Sequence, residues 1–458
     1  MAQIVNPPLL RPVNARRSTG AGGSRPSLRG ETVAVVCPPP AVTVIVSCVL
    51  AGCAEPTPSQ TPATVTVTDS GEVQLVEVAG RFLDSLPVWS LSAEPLVTIG
   101  ERVAEDPYMF GGVEDALRLH TGEIVIVEEF DFEFRVFGSD GGFRRAFGGM
   151  GEGPGEFKAV SLQRLPHGGF AVADNELARV TLFDDRANLV LTRPGACRSG
   201  DARSFHDPPL CYFAGLTGDG TLFSYGARRE GPSPRLELDA VVRRPGGMLF
   251  LALAADDTTV VIDSVPNAHR ASITGVGRSG MPWDWSVEEL FSPKGSWAFG
   301  PGLVAVGQSG RFEIRLRDST GSLQRILRVD KRPEVVTRQH LDSVRAWVAD
   351  PTTARSPAEL ALQYLDEIPE GGTIPFFSEM RFDNAGRLWV SDYVPPPRLV
   401  TREVWQWTIF GEDGLPLARA ASGPSGDILE LGQDYVLVRE RDDMDAERVA
   451  LYGIRQGG

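Results

Sequence analysis

Phe147 to Phe157 reads F-G-G-M-G-E-G-P-G-E-F, a run in which every second residue or so is glycine. Its reading decides between a phosphate-binding α/β fold and a chain of β-strands joined by turns. A phosphate-binding loop ends in Gly-Lys-Ser/Thr and opens a helix whose N-terminal N–H groups face the anion. Here Phe157 leads instead through Lys158 into Ala159-Val160-Ser161-Leu162-Gln163-Arg164-Leu165, which reads as a strand. The stretch is therefore a link between two strands.

The rest of the chain agrees. In 458 residues there are 50 glycines and 35 prolines, the punctuation of many short strands. An apolar content of 42% supports a substantial core, and 23% charged residues exclude wholesale disorder. The net charge of −15 argues against a nucleic-acid partner, because nothing would neutralise phosphates over a wide surface. No apolar run is long enough to predict a membrane-spanning helix.

One pattern recurs: a turn glycine, an apolar strand, then a polar or small residue six positions on. Gly122 leads I-V-I-V to Glu128, Gly168 leads G-F-A-V-A to Asp174, and Gly220 leads T-L-F-S-Y to Gly226. Gly302 leads L-V-A-V-G to Gln308, Gly386 leads R-L-W-V-S to Asp392, and Asp434, without a glycine, leads Y-V-L-V-R to Glu440. Most are followed by a second strand ending in a turn, such as F-R-V-F-G-S-D-G at 134–141, and then by a third strand. Six antiparallel meanders of this kind predict an all-β fold, a six-bladed β-propeller. The gaps from 220 to 302 and from 302 to 386 exceed a blade of about 40–50 residues and must hold insertions. The second carries a small helical insertion at about 330–375. The last unit lacks an outer strand after Arg455, and Pro95 to Gly100 is expected to supply it, closing the ring with an N-terminal strand.

A-V-A-D-N (171–175), F-D-N-A-G-R-L-W-V-S-D (382–392) and the glycine-rich link resemble NHL repeats. Over most of residues 95–456 the chain resembles bacterial six-bladed β-propeller lipoproteins.

The N-terminus carries Arg11, Arg16, Arg17, Arg25 and Arg29, then the apolar run Ala41 to Leu50. This is the layout of a secretory signal. Leu50-Ala51-Gly52-Cys53 resembles a lipobox, which implies lipidation of Cys53 at the mature N-terminus. The expected organisation is a signal sequence at 1–52, a lipidated cysteine and flexible tether at 53–72, and the propeller at 73–458. The expected location is the cell envelope, anchored by lipid on the extracytoplasmic side of a bacterial membrane. Of five cysteines, Cys37 and Cys48 leave with the signal and Cys53 takes lipid. Cys197 and Cys211 remain, an even pair suited to a disulfide in an oxidising compartment, or two unpaired thiols.

In a meander, the loop after strand two and the link after strand four share one face. Glu128, Asp174, Gln308, Asp392 and Glu440 are expected to ring it. Carboxylates repeated in this way can hold a divalent cation such as calcium, or each can cap its own turn. No other cofactor is expected. The insertions fall on the same face and bring Trp283, Trp285 and Tyr393, which with Glu128, Asp174 and Asp392 are the candidate ligand contacts. The histidines show no metal-ligand spacing and no G-x-S-x-G elbow occurs, so no catalytic residue is assigned. The favoured function is a tethered scaffold binding a protein, peptide or glycan on the long-loop face. The alternative is a propeller enzyme, a metal-dependent lactonase or a peptidyl-amidating-lyase-like protein.

Overall fold

The β-branched run Val65-Thr66-Val67-Thr68 favours an extended chain. In the computed structural model it forms β1 (Val65–Ser70), paired antiparallel with β2 (Val73–Ala79). The structure describes residues 64–457 apart from 101–105, 166–167, 196–211, 229–240, 256–257, 277–281, 350–364, 366–367, 369, 394–405, 422, 424–425 and 443–445. The signal sequence, Cys53, Cys197 and Cys211 lie outside the described residues. The expected tether, 53–72, ends inside the β1–β2 hairpin. Two further short strands follow, β3 (Val88–Leu91) and β4 (Val97–Ile99).

Among the described residues, the strands that follow group into antiparallel units of four. The first is β5 (Val113–Arg118), β6 (Ile124–Glu128), β7 (Glu133–Phe137) and β8 (Phe143–Gly148). The second is β9 (Ser161–Arg164), β10 (Phe170–Asp174), β11 (Arg179–Phe183) and β12 (Leu189–Pro194). The third contains β13 (Tyr212–Leu216), β14 (Leu222–Arg228), β16 (Met248–Ala255) and β17 (Thr258–Pro266); β15 (Val241–Arg244) lies in the loop between β14 and β16. β15 pairs with β18 (Arg270–Val276), which pairs with β19 (Pro282–Glu288), making a separate three-stranded sheet. The fourth unit is β20 (Gly295–Phe299), β21 (Leu303–Gln308), β22 (Glu313–Asp318) and β23 (Leu323–Asp330). Helix α1 (Arg338–Ala349), within the expected insertion, buries Leu341 and Val344 from successive turns. The fifth unit is β24 (Phe377–Phe382), β25 (Leu388–Asp392), β26 (Trp407–Phe410) and β27 (Pro416–Ala420). The sixth is β28 (Asp427–Leu431), β29 (Tyr435–Arg441) and β30 (Glu447–Arg455), with β4 as its fourth strand through Val97↔Leu451 and Ile99↔Val449.

The second strand of a unit has apolar residues on both faces because both faces are covered. Every residue of β6 and of β10 is buried. The fourth strand lies outermost, and β8 alternates half-buried with exposed positions. A hydrophobic core fills the space between each unit and the next in sequence. Phe134 and Val172 share one, Val180 and Leu222 another, Phe223 and Val304 the next. Ile314 and Phe410 share a core, as do Ile409 and Val438. The sixth unit also packs on the first, through Val449 and Leu437 against Ile124 and Ile126.

The N-terminal strands cover outer edges. β2 adds in parallel to β23, and β3 adds in parallel to β27 while pairing with β30. The fifth and sixth units therefore form one nine-stranded sheet that is close to a closed barrel. Its two ends, β24 and β28, meet where Arg381 Nη1 donates to Ile428 O at 2.8 Å. Among the described residues, no helix is long and apolar enough to cross a membrane.

Candidate functional site

Antiparallel order gives each unit two distinct ends. Turns between strands one and two, and between three and four, lie at the hairpin end. Loops between strands two and three lie at the connection end, with the links that join units.

The connection end carries the residues singled out from the sequence. Glu128 closes β6 and is buried. Its Oε1 accepts the N–H groups of Gly111 (2.8 Å) and Gly112 (3.3 Å), while Oε2 accepts those of Phe130 (2.8 Å) and Asp131 (3.3 Å). Asp174 does the same at the end of β10. Its Oδ2 accepts Lys158 N–H, and Oδ1 accepts Glu176 and Leu177 N–H. Each carboxylate thus binds the incoming link to the loop that follows its own strand, the turn-capping role weighed against cation binding. Glu440 accepts hydrogen bonds from Tyr452 Oη and Arg448 Nε. Asp392 sits 3.6 Å from Lys331 Nζ. Gln308 accepts Arg311 N–H with its backbone carbonyl, not its side chain. Trp283 and Trp285 occupy β19, opposite Gly275 and Ile273 of β18, and their side chains lie outside the described set. Among the described residues, no three His, Cys, Asp or Glu side chains gather as a metal site would require.

The insertions meet here too. Tyr393, directly after β25, accepts a hydrogen bond from Phe291 N–H at 3.1 Å, and burial pushes its hydroxyl pKa up to about 12. The Phe291 ring contacts both Tyr393 and His340 of α1. One cluster therefore ties together the third-to-fourth link, the fourth-to-fifth link and the loop of the fifth unit.

The glycine-rich link folds back on itself at this end. Phe157 N–H donates to Gly149 O and Gly151 N–H donates to Phe157 O. Gly148 has φ 86° and stands against the Phe134 ring, so a side chain there would be both strained and crowded. The Arg179 guanidinium gathers the carbonyls of Glu152, Gly153 and Glu156. Carbonyls around a cation are the reverse of a phosphate cradle, in which N–H groups surround an anion. Among the described residues, large apolar side chains on these connections face solvent: Met109 is 57% exposed, Phe130 65%, Met150 62% and Val335 49%. Two of them, Met109 and Phe130, flank the N–H groups that Glu128 holds. Nothing in the periodic sequence pattern marked them, because they fall outside the strands.

At the hairpin end, a cavity of about 290 Å³ opens where first strands converge. Its wall draws on the first, second, fourth, fifth and sixth units, including Asp115, Arg164, Phe299, Arg381 and Glu430. Arg164 Nε donates to Glu430 Oε1 at 2.6 Å. Glu430 Oε2 also accepts Arg118 N–H and the Tyr435 hydroxyl. Burial, with the Glu430 charge added, pushes the Tyr435 hydroxyl well above its ordinary pKa. Asp115 accepts the N–H groups of Ala116 and Leu162. Burial pushes its carboxyl up to about 7, against those bonds and the nearby Arg381 charge. Asp383 binds Arg387 Nε and Trp389 Nε1 with the same oxygen.

No protein-family model matches the chain, and no curated protein matches it. Similar solved structures are of propeller type. One is a member of the DUF4221 family from Bacteroides vulgatus, 10% identical, covering 81% of this chain and 100% of that one, with a TM-score of 0.39. Another is virginiamycin B lyase from Staphylococcus aureus, at 8% identity, 80% and 99% coverage and a TM-score of 0.33. A third is the calcium-binding protein regucalcin from Agrobacterium tumefaciens, at 11% identity, 81% and 98% coverage and a TM-score of 0.28.

Proposed function

We propose that the chain is a six-bladed β-propeller closed by β4, held at a bacterial membrane by lipidated Cys53, that binds a protein or peptide partner at its connection end. Closure is supported by the pairing of β4 with β30 and by the core shared between the sixth and first units. Binding rests on one observation, the exposure of Met109, Phe130 and Met150 on connections that are themselves tightly held. Large exposed apolar groups mark a contact site where they form one patch, and their placement at one end of the units supports that reading. Methionine adapts its shape to a partner, which favours a protein or peptide over a glycan. Asp392, partly exposed beside Lys331, belongs to the same end, whereas the buried Asp174 and the half-buried Tyr393 hold the connections in place there. The enzyme alternative draws no support from Glu128 and Asp174, whose oxygens are engaged by backbone N–H groups.

The test places a photo-crosslinking residue at position 109 or 130, and for comparison at Thr121 on the hairpin end, in cells making the full lipidated chain. One discrete product from 109 or 130, diminished by Met150→Asp and absent from 121, is the expected result. Equal products from both ends, or none from either connection position, would refute the assignment.

A further inference from the structure

The cavity at the hairpin end lies away from the proposed partner surface and has a different chemistry. We infer that it is a binding site for a small organic acid, with the ligand carboxylate held by the guanidinium groups of Arg381 and Arg164.

The first argument is charge. The chain as a whole is acidic, at −15, yet four arginines stand in or directly behind this wall. Arg387 is paired with Asp383 and Arg164 with Glu430. Arg118 lies over the Tyr435 ring, 5.0 Å from its centroid, and among the described residues it is in no ion pair. Arg381 reaches Glu379 at 3.4 Å, a carboxylate that is itself nearly half exposed. The one further acid in the wall is Asp115, whose carboxyl is pushed towards its neutral form. Four arginines thus meet four acids, Asp383, Glu430, Glu379 and Asp115, and the burial that favours the neutral form of Asp115 tips the balance towards positive charge around a space large enough for a ligand.

The second argument is donor geometry. A guanidinium has five N–H donors and no acceptor. Arg164 commits Nε to Glu430 and Nη2 to Tyr435 Oη. Arg381 commits Nε to Glu379 and Nη1 to Ile428 O. Each keeps donors to spare, and the two are anchored to residues two apart on β28, about 6–7 Å along a strand. Arginine forks suit planar carboxylates, which they bind with two parallel hydrogen bonds. A protonated Asp115 offers one more donor.

The third argument is shape. The fourth unit supplies the apolar part of the wall with Ala298, Phe299 and Pro301. At about 290 Å³ the cavity falls at the lower limit of small-molecule sites, which run from about 300 to 1,000 Å³. A compact acid with an apolar body fits these features better than a nucleotide or an oligosaccharide.

The test uses ligand-observed NMR on the purified full-length protein in detergent. The probes are benzoate, phenylacetate and succinate, each paired with its uncharged amide. The expected result is saturable transfer from at least one acid, with its amide at least roughly tenfold weaker, as loss of charge-assisted hydrogen bonds implies. Arg381→Gln should weaken that acid by a similar factor. Removing Arg164 would leave Glu430 buried and uncompensated and could unfold the chain, so Leu162→Trp, which fills the cavity from another wall, serves as the second variant. Photo-crosslinking at position 130 should be unchanged by either. No saturable acid, equal binding of acid and amide, or an affinity indifferent to both variants would overturn the inference.

Discussion

Replacing Glu128 by glutamine probes how the connection end is built. The carboxylate accepts four backbone N–H groups, two at 2.8 Å and two at 3.3 Å, from two separate segments. Glutamine keeps one acceptor oxygen and turns its NH₂ towards the other pair of donors, so about two buried N–H groups lose their partner. Hydrogen bonds to a charged acceptor contribute about 1.5–3 kcal/mol each, and the long members count for less. The substitution should therefore cost about 2–4 kcal/mol, with Glu129→Gln, on the exposed next residue, within about 0.5 kcal/mol of wild type. Urea unfolding of the three proteins measures the loss. Hydrogen exchange at Gly111, Gly112, Phe130 and Asp131 shows where it arises, and these amides should exchange faster in the variant alone. Because the same bonds hold the segments presenting Met109 and Phe130, crosslinking from position 130 should also fall. An E128Q protein as stable as E129Q, with the four amides still protected, would refute the clamp.

Asp115 predicts a pH dependence: its folded pKa of about 7 lies above the ordinary carboxyl value of 3.8, so the folded state holds a proton that the unfolded state has released. Its contribution is most favourable below about pH 4, declines as pH rises to about 7 and is flat beyond, by at most about 4 kcal/mol. Asp115→Asn should flatten urea-derived stability between pH 5 and 8, and an unchanged slope would contradict the assignment. Truncation of residues 54–63 should leave β1 onward in place and a soluble domain, whereas truncation through Gly100 should uncover the edges of β23, β27 and β30 and promote edge-to-edge association; equal monomer content in size-exclusion chromatography would argue against edge covering by the N-terminal strands. Cys53→Ala should abolish incorporation of labelled fatty acid, and persistent labelling would remove the anchor. Thiol titration of the denatured, unreduced chain from Ala54 onward should find no free cysteine if Cys197 and Cys211 are bridged, and two if they are not.

The strands that were legible in sequence are those whose surroundings are uniform. Ile124 to Glu128 and Phe170 to Asp174 lie between other strands and between other units, so every position but the last is apolar and a turn glycine precedes each. β4 was legible for a related reason: an orphan strand was needed and Val97-Thr98-Ile99 had the right character. The hairpin β1–β2 was hidden because its valines alternate with threonines inside a proline- and threonine-rich stretch. What stabilises it is the edge of β23, some 250 residues away in the chain. The cavity was hidden for the same kind of reason. Arg118 and Arg164 each stand four residues before a turn glycine, Gly122 and Gly168, but one arginine on a half-polar strand carries no message alone. Its meaning comes from Glu430 and Arg381, which only closure of the fold brings alongside.

The repeated carboxylates left two readings open, a cation site or turn caps, and Glu128 and Asp174 close β6 and β10 with their oxygens on backbone N–H groups. A carboxylate has about four lone-pair directions, and in Glu128 all four are used by N–H groups. A cation there would have to displace them and leave two turns with buried donors, each costing about 1–3 kcal/mol. Backbone and metal compete for the same oxygens, and a loop that brings several N–H groups to one carboxylate has the advantage of being covalently in place. The spare capacity for binding small charged ligands is therefore greatest where donors outnumber acceptors, among the guanidinium groups at the other end. At the connection end the oxygens of Glu128 and Asp174 are engaged by backbone N–H groups, while Met109, Phe130 and Met150 are exposed, which is the contrast on which the proposed partner surface rests.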